Sequence, residues 1–454
     1  MSLRSTAFGL SQEAKSQLLE RLANRRSTPS ATPAATANGP ARPPLGDPRV
    51  RDELRQVRKS GEILQIENPF FRPHDGIAGA ETRIDGRPLL NLVSYNYLGL
   101  NGDPRVSAAA KDAIDQYGTS VSASRLVSGE RPLHRALESA LAALHGTEDC
   151  VAMVSGHATN VTTIGHLVGP GDAIVHDTLS HNSTVQGAIL SGAQRKPFLH
   201  NDVADLQRVL RAVRSRVKRV LVVIEGHYSM DGDVPELPAI IDVVRQHDAY
   251  LMVDEAHSVG VLGRSGRGVA EHFGVPPSGV DVWMGTLSKT LSGCGGYIAA
   301  SHDIVDYLRC SAPGFVYSVG LSPPVAAAAL ESLRLMQQEP WRIERLNAAA
   351  RLFMEEARAA GLDTGSSIGA AIVPVILGSS IRAARVADHL FRQGVNVQPI
   401  LYPAVPERSA RLRFFLSALH TPDQIRTAVQ KTTQAIAAVD RTKTDLVKLA
   451  ALLG

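Results

Sequence analysis

The sequence predicts an α/β protein, with a large domain built on a mostly parallel sheet and a smaller C-terminal α+β domain. Two observations lead there. Six short segments, 151–154, 173–175, 220–224, 250–253, 282–284 and 297–299, are β-branched and almost continuously apolar, the pattern of strands covered on both faces. They alternate with helical segments, which calls for a parallel sheet with helices packed on it. The chain is also long enough, at 454 residues with 44% apolar, to bury a large core in two or three domains.

The elements follow in order. Residues 10–26 read as an amphipathic helix capped by Ser11, with Leu18, Leu19 and Leu22 on one face. Residues 27–47, rich in Pro, Ala, Ser and Thr, read as a flexible linker. From Val50 the chain becomes compact. Helices are expected over 104–117 and over 132–144, where Leu133, Leu137, Leu141 and Leu144 form one stripe. After the strand-and-helix alternation come helices 325–338 and 341–360. A strand at 372–376, a helix at 381–393, a strand at 411–417 and a helix at 422–439 make the smaller unit. The expected division is 1–50 as helix and linker, 51–101 as an N-terminal segment, 102–335 as the large domain and 336–454 as the small one.

Composition narrows the function. Net charge is only +4, and no basic run with interleaved aromatics suggests a nucleic-acid groove. No apolar run is long enough for a membrane span, and no secretory signal opens the chain. Three cysteines, Cys150, Cys294 and Cys310, fit no metal motif and point to a reduced, cytoplasmic setting.

The chemistry concentrates after the strands, where parallel sheets bind ligands. Ser155-Gly156-His157 opens a helix, and amides there suit a phosphate. His181 lies in a loop after Asp177, and a flat imidazole can stack on a ring. Ser229 follows the third strand; its hydroxyl can donate to a phenolate. Asp254 and His257 end the next strand. Lys289 follows the strand 282–284 and precedes a glycine-rich turn. An amine for a Schiff base and a strand-end carboxylate for a pyridine nitrogen are what pyridoxal phosphate (PLP) chemistry requires.

Taken in order, these segments resemble the α-oxoamine synthases of the PLP fold-type I class. The residues that carry the resemblance are SYNYLGL (94–100), GTSVSASRLVSGERPLH (118–134), SGHATN (155–160), EGHYSMDGD (225–233), VDEAHSVGVLGRSGRG (253–268), GTLSKTLSGCGGY (285–297) and RLRFFLSALHT (411–421). The resemblance implies that Lys289 carries the cofactor and acts as base for the α-proton. It implies that Asp254 pairs with the pyridinium nitrogen, that His257 and Ser229 contact the phenolic oxygen, and that His181 stacks on the ring. Gly156 and His157 amides and the Thr286 and Ser288 hydroxyls would hold the phosphate. Arg413 would bind the substrate carboxylate, and Ser318 would reach the partner subunit's phosphate in a homodimer.

The implied reaction joins a small amino acid (Ser, Ala or Gly) to an acyl thioester, giving an α-amino ketone, CO2 and free thiol. The thioester is on coenzyme A or on an acyl carrier protein; the N-terminal helix and Pro/Ala linker look like a module junction and favour the carrier. Tyr95 stands where the biotin-pathway enzymes have Asn, as in serine palmitoyltransferase, and tilts the reading toward serine or alanine. The alternatives are another fold-type I PLP enzyme, such as an aldolase or aminotransferase, and a non-catalytic family subunit, which should lack Lys289.

Overall fold

A computed structural model describes residues 45–442. The expected helix at 10–26 and the linker up to residue 44 lie outside them. The chain divides into two compact units between Arg58 and Lys59, and every strand among the described residues lies in the second. A helix not expected from the sequence, Pro48–Leu64, opens the described chain.

A hairpin of β1 (Glu81–Ile84) and β2 (Arg87–Asn91) comes first. Its turn is Asp85-Gly86, both at positive φ, the conformation that matches the twist of paired strands and that Asp-Gly adopts readily.

The central sheet has seven strands: β3 (Asp149–Met153), β4 (Ala173–Asp177), β5 (Gln194–Phe198), β6 (Val220–Glu225), β7 (Tyr250–Asp254), β8 (Val282–Thr286) and β9 (Gly296–Ala300), in the order β3-β9-β8-β7-β6-β4-β5. From β8 to β5 the neighbours are parallel. The exception is β9, which runs against β8 and β3. It follows β8 through a tight glycine-rich turn with no crossover helix, and a chain returning that way can only pair antiparallel. That turn carries Lys289. Gly295 closes it at φ +152°, where an added Cβ would stand 2.6 Å from the Met153 carbonyl oxygen.

Burial explains which strands were legible. Every residue of β4, β6 and β9 is buried. The edge strand β5 (QRKPF) is exposed except for Phe198, so its charges and proline hide it from an apolar pattern.

The C-terminal sheet contains β10 (Ile372–Ile376), β12 (Gln398–Ile400) and β13 (Arg411–Phe415), all antiparallel, with β13 central; β11 (Val395–Asn396) pairs instead with β2. Helices Trp341–Ala359, Ser380–Arg392 and Pro422–Arg441 accompany it, close to the expected bounds. One apolar cluster runs from Trp283 and Tyr297 in the large sheet to Phe353 and Phe414 beside the small one. Full burial of each such side chain stabilises by about 1.5–3 kcal/mol or more, so the two sheets share one core.

Candidate active site

The carboxyl ends of β3, β4, β6, β7 and β8 all lie on one edge of the sheet, and each delivers part of the site. After β3, Ser155 caps the helix Gly156–Leu167, its hydroxyl accepting from the Ala158 amide at 3.3 Å. The Gly156 and His157 amides stand in the first turn, where helical N–H groups have no intrahelical acceptor. A Cβ on Gly156 would come 2.9 Å from Thr286 Oγ1, so a glycine lets these two walls approach. The Thr286 hydroxyl donates to the Gly295 carbonyl at 2.9 Å, and Ser288 Oγ accepts from the Gly295 amide at 3.3 Å. Both hydroxyls brace the Lys289 turn on Gly295, and Thr286 also borders the helix start.

Lys289 is half-buried, its Nζ 5.7 Å from the centroid of the Tyr95 ring. Burial lowers its amine to about 8, against the pull of the Asp254 and Glu225 carboxylates, and Arg413 lowers it further. Such an amine is partly neutral near physiological pH, the form that attacks a carbonyl or accepts a proton.

Asp254 ends β7, buried. Asn160 Nδ2 donates to its Oδ2 at 2.7 Å and the Ala256 amide to its Oδ1 at 2.9 Å. The same Asn160 nitrogen lies 3.0 Å from Ser183 Oγ, which is 2.7 Å from His181 Nδ1. Ser183 Oγ accepts from Asn160, and its own hydrogen is free to donate to His181. His181 Nδ1 also receives the Ser183 amide at 3.3 Å, which leaves its proton on Nε2. Burial holds this imidazole below its ordinary range, hence neutral. Its backbone amide donates to Glu225 Oε1 at 2.6 Å. Glu225 and Asp254 are paired across β6 and β7. Burial first, and then the Asp254 charge, push the Glu225 carboxyl up to about 8.

On the far side, His257 Nδ1 is 2.8 Å from the Tyr97 hydroxyl. Burial, reinforced by Lys289, drives His257 well below the usual imidazole range, so it too is neutral. Tyr95 stands edge-on to His257 and to Phe415, at 5.9 and 4.9 Å between ring centroids. Arg413 lies over Phe415 at 4.7 Å, and its Nη1 donates to the Ser229 carbonyl at 3.1 Å. Arg413 Nε is buried with no hydrogen-bond partner among the described residues. A cavity of about 350 Å³ opens beside these groups, lined in part by His74, Ser94, Tyr95, Ser288 and Lys289.

Thus Lys289, Asp254, His181, His257, Tyr95, Arg413, Ser229 and the Gly156 turn come together. Of the expected residues, Tyr95, Ser288 and Lys289 line the cavity itself; Ser318 lies apart, bordering a small cleft with Arg125 and Phe315. Arg125 itself, central in the SASRLVSGERPLH segment, is buried between Glu138 and Glu130 and braces the loop. Tyr97, Asn160, Ser183 and Glu225 were not among the site residues expected from the sequence, although Tyr97, Asn160 and Glu225 stand inside the motifs quoted above.

The residues present fit PLP. A weakly basic amine suits an aldehyde, a buried carboxylate held by two donors suits a pyridinium nitrogen, and a glycine-walled helix start suits a phosphate. The unpartnered Arg413 Nε suits an incoming carboxylate.

A model of the aminotransferase class I and II family matches residues 87–431. An 8-amino-7-oxononanoate synthase of Geobacter sulfurreducens is 41% identical over 382 residues, 84% of this chain and 96% of that one. The serine palmitoyltransferase of Sphingomonas wittichii superposes with a TM-score of 0.83 at 32% identity, over 87% of this chain and all of the other. A second serine palmitoyltransferase structure, solved with PLP, gives 0.82 at 32% identity, again over 87% of this chain and all of the other. The chain belongs to the α-oxoamine synthase family. Like its relatives, this α-oxoamine synthase is a PLP-dependent acyltransferase that condenses an amino acid with an acyl thioester and releases CO2. Among its described residues no helix is long and apolar enough to cross a membrane.

Proposed function

We propose that the amino acid is small (serine, alanine or glycine) and that Lys289 both anchors the cofactor and moves the α-proton. The observation that carries this reading is a half-buried amine lowered to about 8 that borders the cavity and feels the charges of both a doubly held Asp254 and Arg413, whose Nε is unpartnered among the described residues. When bound, the cofactor supplies an electron-accepting ring that labilises the bonds at the α-carbon. Asp254 would pair with the ring nitrogen and keep it protonated. With PLP bound, neutral His257 and the Ser229 hydroxyl would contact the phenolic oxygen, and the His181 ring would stack on the cofactor. The Gly156 and His157 amides, with the Thr286 and Ser288 hydroxyls, hold the phosphate. Arg413 grips the substrate carboxylate, and Tyr95 walls the amino-acid side of Lys289. Lys289 Nζ takes the α-proton and later returns one.

The reading extends to a homodimer in which Ser318 reaches the partner's phosphate. In its favour, Leu126, Val127, Tyr317 and Val319 expose an apolar face around Ser318, with Val127 at 82% and Tyr317 at 86%. The acyl donor is a carrier-protein thioester rather than coenzyme A, on the strength of the Pro/Ala-rich linker, and three free cysteines accord with a cytoplasmic setting.

Purified holoenzyme incubated with serine, alanine or glycine, and with matched acyl-CoA or acyl-carrier donors, tests this. Mass spectrometry should find an α-amino ketone with a small amino acid, faster from the carrier. Equal or better turnover from coenzyme A overturns the carrier. An aldol or transamination product alone overturns the reaction.

A further inference from the structure

Behind the site, His200 sits between two carboxylates. Its Nδ1 is 2.9 Å from Asp177 Oδ1, and its Nε2 is 2.9 Å from Asp233 Oδ2. A carboxylate only accepts, so each ring nitrogen must carry a proton and the ring is an imidazolium. The two carboxylates raise it to about 10, against the effect of burial. Asp177 also accepts from the Tyr228 hydroxyl at 3.0 Å and from the Leu179 amide at 2.8 Å. Asp233 Oδ2 accepts from Asn201 Nδ2 at 3.0 Å and from Ser366 Oγ at 3.3 Å.

The segments joined this way are those that carry site residues. Asp177 ends β4 and starts the turn to His181, whose amide is fixed on Glu225. Tyr228 and Asp233 bracket Ser229, the Tyr228 amide donating to the Asp233 carbonyl at 3.0 Å. Ser366 precedes β10. We propose that His200 is a positioning residue: as a cation clamped between Asp177 and Asp233, it sets the spacing of the two turns that place His181 and Ser229 on the cofactor. This rests on those two residues being cofactor contacts.

Without the cation, Asp177 and Asp233 face each other as like charges, and the turns must part. Removing the Asp233 charge as well relieves that repulsion. The test compares wild type, His200→Gln, Asp233→Asn and the double variant. It reads thermal stability, the Kd of the apo-protein for PLP, the visible circular dichroism of the bound cofactor, and kcat and KM separately. His200→Gln should weaken PLP binding at least tenfold, alter the dichroic band and lower kcat more than KM for the amino acid. The double variant should recover binding to within about threefold of Asp233→Asn. A His200→Gln protein with wild-type Kd and dichroism overturns the clamp. So does a double variant that loses the product of the two single losses. His181→Asn and Ser229→Ala serve as controls: if neither moves the dichroic band, the reading of the cofactor contacts has failed. If they move it and His200→Gln does not, only the clamp has.

Discussion

The Tyr97 hydroxyl lies 2.8 Å from Nδ1 of His257, and both side chains are buried. Burial pushes the phenol up and the imidazole down, so each is neutral and a single proton lies between them. With Tyr97 as donor, His257 keeps its own proton on Nε2, the nitrogen left free to donate. Tyr97→Phe removes that donor and leaves a buried nitrogen unpaired, at a cost of about 1–3 kcal/mol. The fold should survive with a modestly lower melting temperature. The Kd for PLP should rise about tenfold, as fluorescence titration of the apo-protein would show. An unchanged Kd would mean that Tyr97 only packs.

Asn160 joins Asp254 to Ser183 and so to His181. In Asn160→Ala the carboxylate loses one of its two observed donors, and a hydrogen bond to a charged group is worth about 1.5–3 kcal/mol. The expected result is PLP binding weakened by about ten- to a hundredfold. Ser183→Ala cuts the same chain on the His181 side, so it should leave Asp254 paired and cost less. Equal losses in the two variants would contradict this order.

Glu225 gives the apo-protein a pH signature. Its carboxyl rises from an ordinary 4.5 to about 8, so the folded chain holds the proton that the unfolded chain releases. Stability from this group is full below about 4.5 and lost as pH rises through about 8. Lys289, lowered from 10.5 to about 8, acts with the opposite sign and only above that window. Glu225→Gln still accepts from the His181 amide. Its melting temperature should therefore fall less than that of wild type between about pH 5 and 8. Parallel curves from differential scanning fluorimetry would refute the buried, protonated carboxyl.

Arg413→Lys keeps the charge and loses the planar fork. Losing one charge-assisted bond, worth about 1.5–3 kcal/mol, should raise KM for the amino acid about tenfold or more, with a smaller change in KM for the acyl thioester. Steady-state kinetics with each substrate varied would check it, and a change confined to the thioester would move Arg413 away from the carboxylate.

The strands that position the site were legible because they are buried on both faces, as β4 and β6 show. The reversal of β9 was not, since an apolar run carries no direction, and β5 was masked by its exposed charges. Lys289, Asp254, His181 and His257 stood out because each ends or follows such a strand. The contacts that tune them did not. Tyr97 reaches His257 across 160 positions and Asn160 reaches Asp254 across 94, distances over which no local pattern extends. Glu225 looked like one more residue of a motif until pairing of β6 with β7 set it beside Asp254.

The proposed function turns on Lys289. Its amine stands beside Tyr95 and feels the Glu225 and Asp254 carboxylates on one side and Arg413 on the other. Borohydride reduction fixes the cofactor to whichever amine holds it, and peptide mapping then locates the added mass. The adduct should fall on the peptide containing Lys289 at about one per chain, and vanish in Lys289→Ala. An adduct on another lysine, or an undiminished adduct in the variant, would contradict the assignment.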